Sequence, residues 1–287
     1  MLGVLKDAGA GWQTHKAPRM AAAVAYHGIF SLAPILVILV SAAGLWFGQE
    51  AAEGLIVERL EGVLGKETAG FIQSLLARAY IGAGGILATV IAVALLLFGA
   101  SRVVGGMRGA LNDIWGVQAR AAGSVKGFVL TKLFDLGMVL VVGFMFLTTM
   151  IASAATSAWL HHSSQVLPMP GLVIRVTSVL FSLAVVTFFV AVLFRVLPNV
   201  RPRWRETLVG SMVTAVLFSL GNYLIGLYLG RAGVGSVFGA AGSLAVVMIW
   251  IYYSVQIILF GAEITRAYHE RTDTRADATS APEVAPR

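Results

Sequence analysis

The sequence predicts an all-α fold: a polytopic membrane helix bundle with six transmembrane helices plus amphipathic interfacial helices. Three observations carry that expectation. Of 287 residues, 58% are apolar and 12% are charged, against about 25% charged in a soluble domain. Six apolar stretches are each long enough to cross a hydrocarbon layer of roughly 30 Å at about 1.5 Å per residue. Glycine is frequent, at 32 residues, and small residues let helices pack closely in a bilayer.

The elements follow in order. Leu2 to His15 spaces Leu2, Leu5 and Trp12 at near-helical intervals and reads as an amphipathic segment at the interface, anchored by Trp12. No small-residue cleavage site follows a short apolar core, so a cleavable signal peptide is not expected. The first span, near 20–47, holds no ionised residue between Arg19 and Gly48. Tyr26, His27, Ser31 and Pro34 interrupt it, and hydrogen-bonding groups at that depth need protein or trapped water beside them. Pro34 frees the carbonyl of Phe30 and predicts a kink.

Residues 49–82 differ in kind. They carry Glu50, Glu53, Glu58, Glu61 and Glu67, with leucines at helical spacing, and read as one or two amphipathic helices on the extracytoplasmic face. Further spans are expected near 83–101, 133–158, 172–196, 207–229 and 240–265. The loop RVLPNVRPRWRE, with Pro198 and Pro202, halts the fourth and opens the fifth. The Gly230–Ser243 stretch lacks the Gly-Lys-Ser/Thr ending of a phosphate loop and reads as a flexible re-entry before a close helix contact. One transmembrane domain therefore covers 1–270, and the polar tail 271–287 is expected to be disordered and cytoplasmic.

Charge placement sets the topology. Three Lys or Arg precede the first span, five lie in 101–132, four in 195–206 and four in 266–287, together 16 of the 21. By the positive-inside rule both termini are cytoplasmic. The net charge of +7 is thus topological, and no nucleic-acid partner is expected. With no cysteine, disulfides and thiolate metal sites are excluded. His161–His162 lacks a third ligand nearby, so no metal and no cofactor is predicted.

Candidate functional residues are the polar groups within the spans. Tyr26, His27, Ser31 and Pro34 on the first span, Asn222 on the fifth, and Tyr252 and Gln256 on the sixth are candidates for a substrate pathway, if those helices are neighbours. The alternative is ordinary interhelical hydrogen bonding. Glu263 follows an uncharged run from Phe238 and shares a helix face with Arg266. With Arg102, Asp135 and Arg195 it is expected at the cytoplasmic level, as ion pairs or as a gate. Asp113, Asp135, Glu206 and Glu263 are scattered singly and no nucleophile-elbow pattern occurs, so no catalytic site is predicted.

The motifs AVAYHGIFSLAPILV (Ala23 to Val37), RGALNDIWGV (Arg108 to Val117) and GSVFGAAGSLAVVMIWIYYSVQIILFGAEITRAY (Gly235 to Tyr268) resemble the YihY/BrkB family of bacterial inner-membrane proteins. The resemblance implies six membrane helices, an inner-membrane setting, and associations with envelope integrity, serum resistance and lipid handling. Its motifs map onto Tyr26, Ser31, Pro34, Asn112, Trp115, Trp250, Tyr252, Gln256 and Glu263, with no catalytic assignment. The family has carried a ribonuclease label, which these residues do not support. The expected function is a non-enzymatic transporter or translocase of lipid or another amphiphile, with membrane lipids and envelope proteins as partners. A non-transporting envelope assembly or structural factor is the alternative, and a membrane ribonuclease a distant third. Oligomeric state is left open.

Overall fold

The computed structural model describes residues 2–30, 48–81, 86–117, 171–232 and 234–280, and within 127–141 residues 127, 130, 133–135, 137, 138 and 141. Among these residues every regular element is an α-helix. The elements are α1 (Leu2–Thr14), α2 (17–30), α3 (Gln49–Leu64), α4 (Lys66–Ile81) and α5 (Ile86–Ile114). They continue as α6 (the described residues within 127–141), α7 (Gly171–Val196), α8 (Trp204–Ala232) and α9 (Val234–Ser280). Ser31, Pro34, His161, His162 and most of the expected third span lie outside the described residues.

Local chemistry sets the breaks. α1 ends where the His15 N–H reaches back to the Gly11 carbonyl at 2.8 Å and Lys16 turns left-handed at φ 54°. After α5, Gly116 adopts φ 64°, and the Val117 and Gly116 N–H groups bond the Asn112 and Asp113 carbonyls at 3.0 and 3.1 Å. This is a Schellman ending, which needs a residue free to turn left-handed. Arg195 closes the Pro-rich loop after α7, donating to the Pro202 carbonyl at 2.8 Å while its guanidinium stacks 4.3 Å over Trp204.

α9 is the spine. One core gathers Ala17, Ala21 and Val24 of α2 and Leu111 and Ile114 of α5 with Phe194 of α7 and Leu259 and Ala262 of α9. α1 lies on α9 through Val4 and Ala8 against Ile264 and Ala267. It presents a small-residue face there, while Leu2 and Leu5 are exposed and Trp12 packs against the main core. The expected interface helix is therefore docked on protein, because Ala8 and the buried Gly11 allow a close approach that larger residues would block. α3 and α4 form a pair that packs on α8 and α9.

α8 and α9 run antiparallel at close range. A Cβ on Gly210 would strike Thr265 and come within 2.5 Å of the Gly261 carbonyl, and one on Gly261 would strike Thr214. Farther along, a Cβ on Gly221 would strike the Tyr253 ring. Thr214 and Thr265 fold their hydroxyls back onto the Gly210 and Gly261 carbonyls at 2.7 and 2.9 Å, so the crossing satisfies its own polar groups. The same two Gly-x-x-x-Thr turns face each other across the pair.

The polarity of α8 is inverted relative to a soluble helix. Leu208, Met212, Val216, Leu220 and Leu224, four residues apart, are all exposed, Met212 by 63%. Glu206, Thr207, Ser211 and Thr214 are buried. α7 likewise turns Val179, Leu180 and Phe188 outward. In water such surface costs about 25 cal/mol per Å², so an apolar solvent is required. Two described stretches, Val179–Val196 and Gly242–Asp273, are long and apolar enough to cross a membrane.

Several helices outrun the expected spans. α5 continues to Ile114 rather than 101, and α9 covers Val234–Ser280 rather than 240–265. The described residues of Gly230–Ser243 are helical rather than a flexible re-entry. The tail expected to be disordered from Arg271 is helical through Ser280. Its first turn is held by Arg271 on Asp7 at 2.6 Å and Asp273 on Arg203 at 3.2 Å, contacts that composition does not reveal.

Candidate functional site

Three carboxylates lie buried where the ends of α1, α5, α8 and α9 meet, and each has a different set of partners. Glu263 is wholly buried on α9. His15 Nδ1 stands 2.6 Å from its Oε1, and Arg266 Nε donates to its Oε2 at 3.2 Å. Arg266 also donates to Glu270 at 2.7 Å. Gly11 lies directly over this group; a Cβ there would strike the Glu263 carboxylate. A second staple joins α1 to α9, where Arg271 holds the Asp7 carboxyl below the usual carboxylate range.

Asp135 of α6 is 1% exposed and pairs with Arg108 of α5 at 3.0 Å. Gly105 opens the space, since a Cβ there would stand 3.4 Å from Asp135. Arg108 also sits 5.7 Å over the Phe134 ring. The pair fixes α6 against α5.

Glu206 is the third, 1% exposed at the third position of α8. Its Oε2 accepts the Arg203 N–H at 2.9 Å, the reach-back half of a capping box. Its Oε1 is buried with no hydrogen-bond partner among the described residues. His269 of α9 places Nδ1 3.0 Å from Oε2 and Nε2 3.3 Å from Asp273. The Trp115 ring meets the imidazole edge-on at 5.6 Å. Asn112, buried at the end of α5, accepts the Asn199 N–H at 2.8 Å and ties the loop before α8 to the same cluster. Among the described residues no group of three His, Asp or Glu is arranged to hold a metal ion.

The arrangement sorts the sequence candidates. Glu263 and Arg266 are joined as their spacing predicts. Asp135 takes Arg108 instead, Arg195 takes the Pro202 carbonyl and Trp204, and Arg102 is exposed. Tyr26 is 57% exposed and packs edge-on to Phe30 and His27, so its ring is turned to the outer surface. Tyr252 packs against the main core and Gln256 is half-buried. Asn222 is helical on α8, one residue beyond Gly221. His15, Glu206 and His269 were not singled out. Glu206 opens a helix just past Pro202, and His269 precedes Asp273 by one turn, two spacings that mark both residues in the sequence.

An apolar skin, buried polar groups and helices long enough to cross a bilayer define a helical integral membrane protein. The chain belongs to the Virulence factor BrkB family, whose model matches residues 8–286, and this is the family that its motifs resemble. It is 29% identical over 254 residues to a UPF0761 membrane protein of Pseudomonas paraeruginosa, covering 87% of this chain and 58% of the relative. A UPF0761 membrane protein of Pseudomonas aeruginosa is 28% identical with the same coverage. One from Tolumonas auensis is 30% identical over 165 residues, 56% of this chain and 51% of the relative. The chain thus spans less than two thirds of the length of these relatives. No solved structure matches.

Proposed function

We propose that this protein moves a lipid or a similar amphiphile across or along a bacterial inner membrane, without covalent chemistry. The observation that carries the reading is the inverted polarity of α8. Its lipid-facing stripe is apolar while Glu206, Thr207, Ser211 and Thr214 are buried against neighbouring helices. Glu206 Oε1, Ser211 Oγ and, on α9, Ser254 Oγ are buried without hydrogen-bond partners among the described residues. Such groups are costly unless something visits to satisfy them. A headgroup carries donors and acceptors of that kind, and its tails keep to the bilayer. In this reading the chain crosses six times with both termini cytoplasmic, α3 and α4 lie outside, and Asn222, Tyr252 and Gln256 extend the pathway along α8 and α9. Membrane lipids are the primary partners, and envelope proteins receive or supply the cargo.

The test is reconstitution in liposomes with a fluorescent phospholipid and a membrane-impermeant quencher. Exchange between leaflets faster than in protein-free vesicles is the expected result. Exchange at the protein-free rate, with or without an ion gradient, contradicts it. An assembly or structural role is the second reading, and one observation favours it: the Arg108–Asp135 and Arg266–Glu263 pairs bind helices to one another. It predicts loss of partner proteins, and no change in lipid exchange, when polar groups of the α8–α9 seam are replaced.

A further inference from the structure

His269 stands between two carboxylates whose exposure falls steeply toward the interior. Asp273, on its Nε2 side at 3.3 Å, is 45% exposed; His269 is 32% exposed; Glu206, on its Nδ1 side at 3.0 Å, is 2% exposed. A neutral imidazole has one N–H and can serve only one of the two carboxylates, whereas the imidazolium serves both. The other charged group facing the ring is Arg203, whose guanidinium holds Asp273 at 3.2 Å and whose backbone N–H holds Glu206 at 2.9 Å. α5 contributes the uncharged Trp115 ring. Nearby on α9, Glu270 is engaged with Arg266, and Arg271 with Asp7. With a neutral ring, Glu206, Asp273 and Arg203 leave one net negative charge, which a single proton cancels.

Nδ1 is close to Glu206 but off the line of a hydrogen bond, and Glu206 Oε1 has no hydrogen-bond partner among the described residues. The ring thus sits one small rotation away from delivering a proton. Beyond Glu206, the next polar groups on the inner face of α8 are Thr207 and Ser211.

We propose that Asp273, His269 and Glu206 form a proton relay, with Glu206 as the internal proton-binding site. A proton from water, taken up on Asp273, passes to Nε2 of the ring. The proton on Nδ1 passes to Glu206, leaving a neutral imidazole with its proton on Nε2. One proton enters and one arrives, the Nδ1–H bond breaks as a Glu206 O–H bond forms, and no bond between heavy atoms changes. Loss of the Nε2 proton to water and uptake of another at Nδ1 restore the starting tautomer. The proton arrives on Oε2, the oxygen 3.0 Å from Nδ1, so the carboxyl group at the head of the buried seam loses its charge and gains an O–H donor. This supplies an ion-coupled energy source for the amphiphile movement proposed above, and it rests on that reading only for what the proton drives.

The test is infrared difference spectroscopy of the full chain in lipid vesicles after a downward pH jump from about 8 to about 5. The parent protein should show the carbonyl stretch of a newly protonated carboxyl group, and Glu206→Gln should lose it. His269→Gln should slow its rise by about a hundredfold, the lower range for a positioned proton-transfer group. Asp273→Asn, at an exposed position, should also slow it, and His15→Gln should leave it unchanged. A band that persists in Glu206→Gln, or a rise in His269→Gln as fast as in the parent, overturns the relay. Should Glu206→Gln fail to fold, the two rates decide. An intact band without lipid exchange contradicts the transport reading alone, whereas exchange that continues with no band contradicts the relay alone.

Discussion

Glu263 and Glu206 occupy the same end of the bundle, both sealed from solvent and both beside a histidine, yet their surroundings ask different things of them. Glu263 has both oxygens engaged, one by His15 and one by Arg266, and Gly11 caps it. Glu206 has one oxygen committed to the start of its helix and the other to nothing. A saturated carboxylate is a fastener, since removing it takes a partner from His15 at the end of α1 and from Arg266 of α9. An unsaturated one keeps capacity for a proton or a donor. Burial alone therefore does not separate Glu263 from Glu206; the engagement of the second oxygen does.

The largest expected effect belongs to Glu263→Ala. Removing the carboxylate takes a hydrogen bond to a charged group, worth about 1.5–3 kcal/mol each, from both His15 and Arg266, so its unfolding midpoint in nanodiscs should fall sharply. Glu206→Gln keeps an acceptor oxygen for the Arg203 N–H and should cost less than about 1 kcal/mol. Equal losses would erase the contrast. Between the two sites lies the Gly210–Gly261 crossing, where Gly261→Ala forces a methyl onto Thr214. Overpacking of this kind costs about 1–3 kcal/mol, measurable as a lower midpoint without loss of helix content.

A sharper probe is the double change Ser211→Ala and Ser254→Ala. Removing two buried hydroxyls without partners should leave stability equal or raised by about 1 kcal/mol, while lipid exchange slows. Lower stability would mean those hydroxyls are structural. The smallest effect is expected at Asp7, whose pair with Arg271 is exposed. Because the folded-state carboxyl is held below its ordinary value of 3.8, the pair stabilises α1 docking above that pH. The contribution disappears as pH falls through the lowered folded value. Trp12 fluorescence should therefore report α1 loosening at slightly higher pH in Asp7→Asn than in the parent, or no difference if the staple is idle.

The helical, membrane-embedded class is legible because long apolar runs need no tertiary knowledge. Glu263 stands out for the same reason, as the charge that ends such a run. Glu206 does not, because four arginines crowd its loop and its burial depends on α9 folding back beside α8. Tyr26 shows a related limit. On a span that is apolar all round, period alone does not say which face meets protein, and its ring lies outward. α1 is helical as its spacing predicts, and the face it packs on α9 is the small one, Val4, Ala8 and Gly11, which apolar spacing does not reveal. Pairings such as Arg108–Asp135 join separate helices and have no signature in local spacing.

The most direct measurement compares lipid exchange in proteoliposomes carrying Glu206→Gln with the parent, at matched reconstitution and with the unfolding midpoint recorded for both. The account predicts a midpoint close to the parent's and exchange reduced to the protein-free rate. Parent-like exchange from a stably folded Glu206→Gln protein would contradict it.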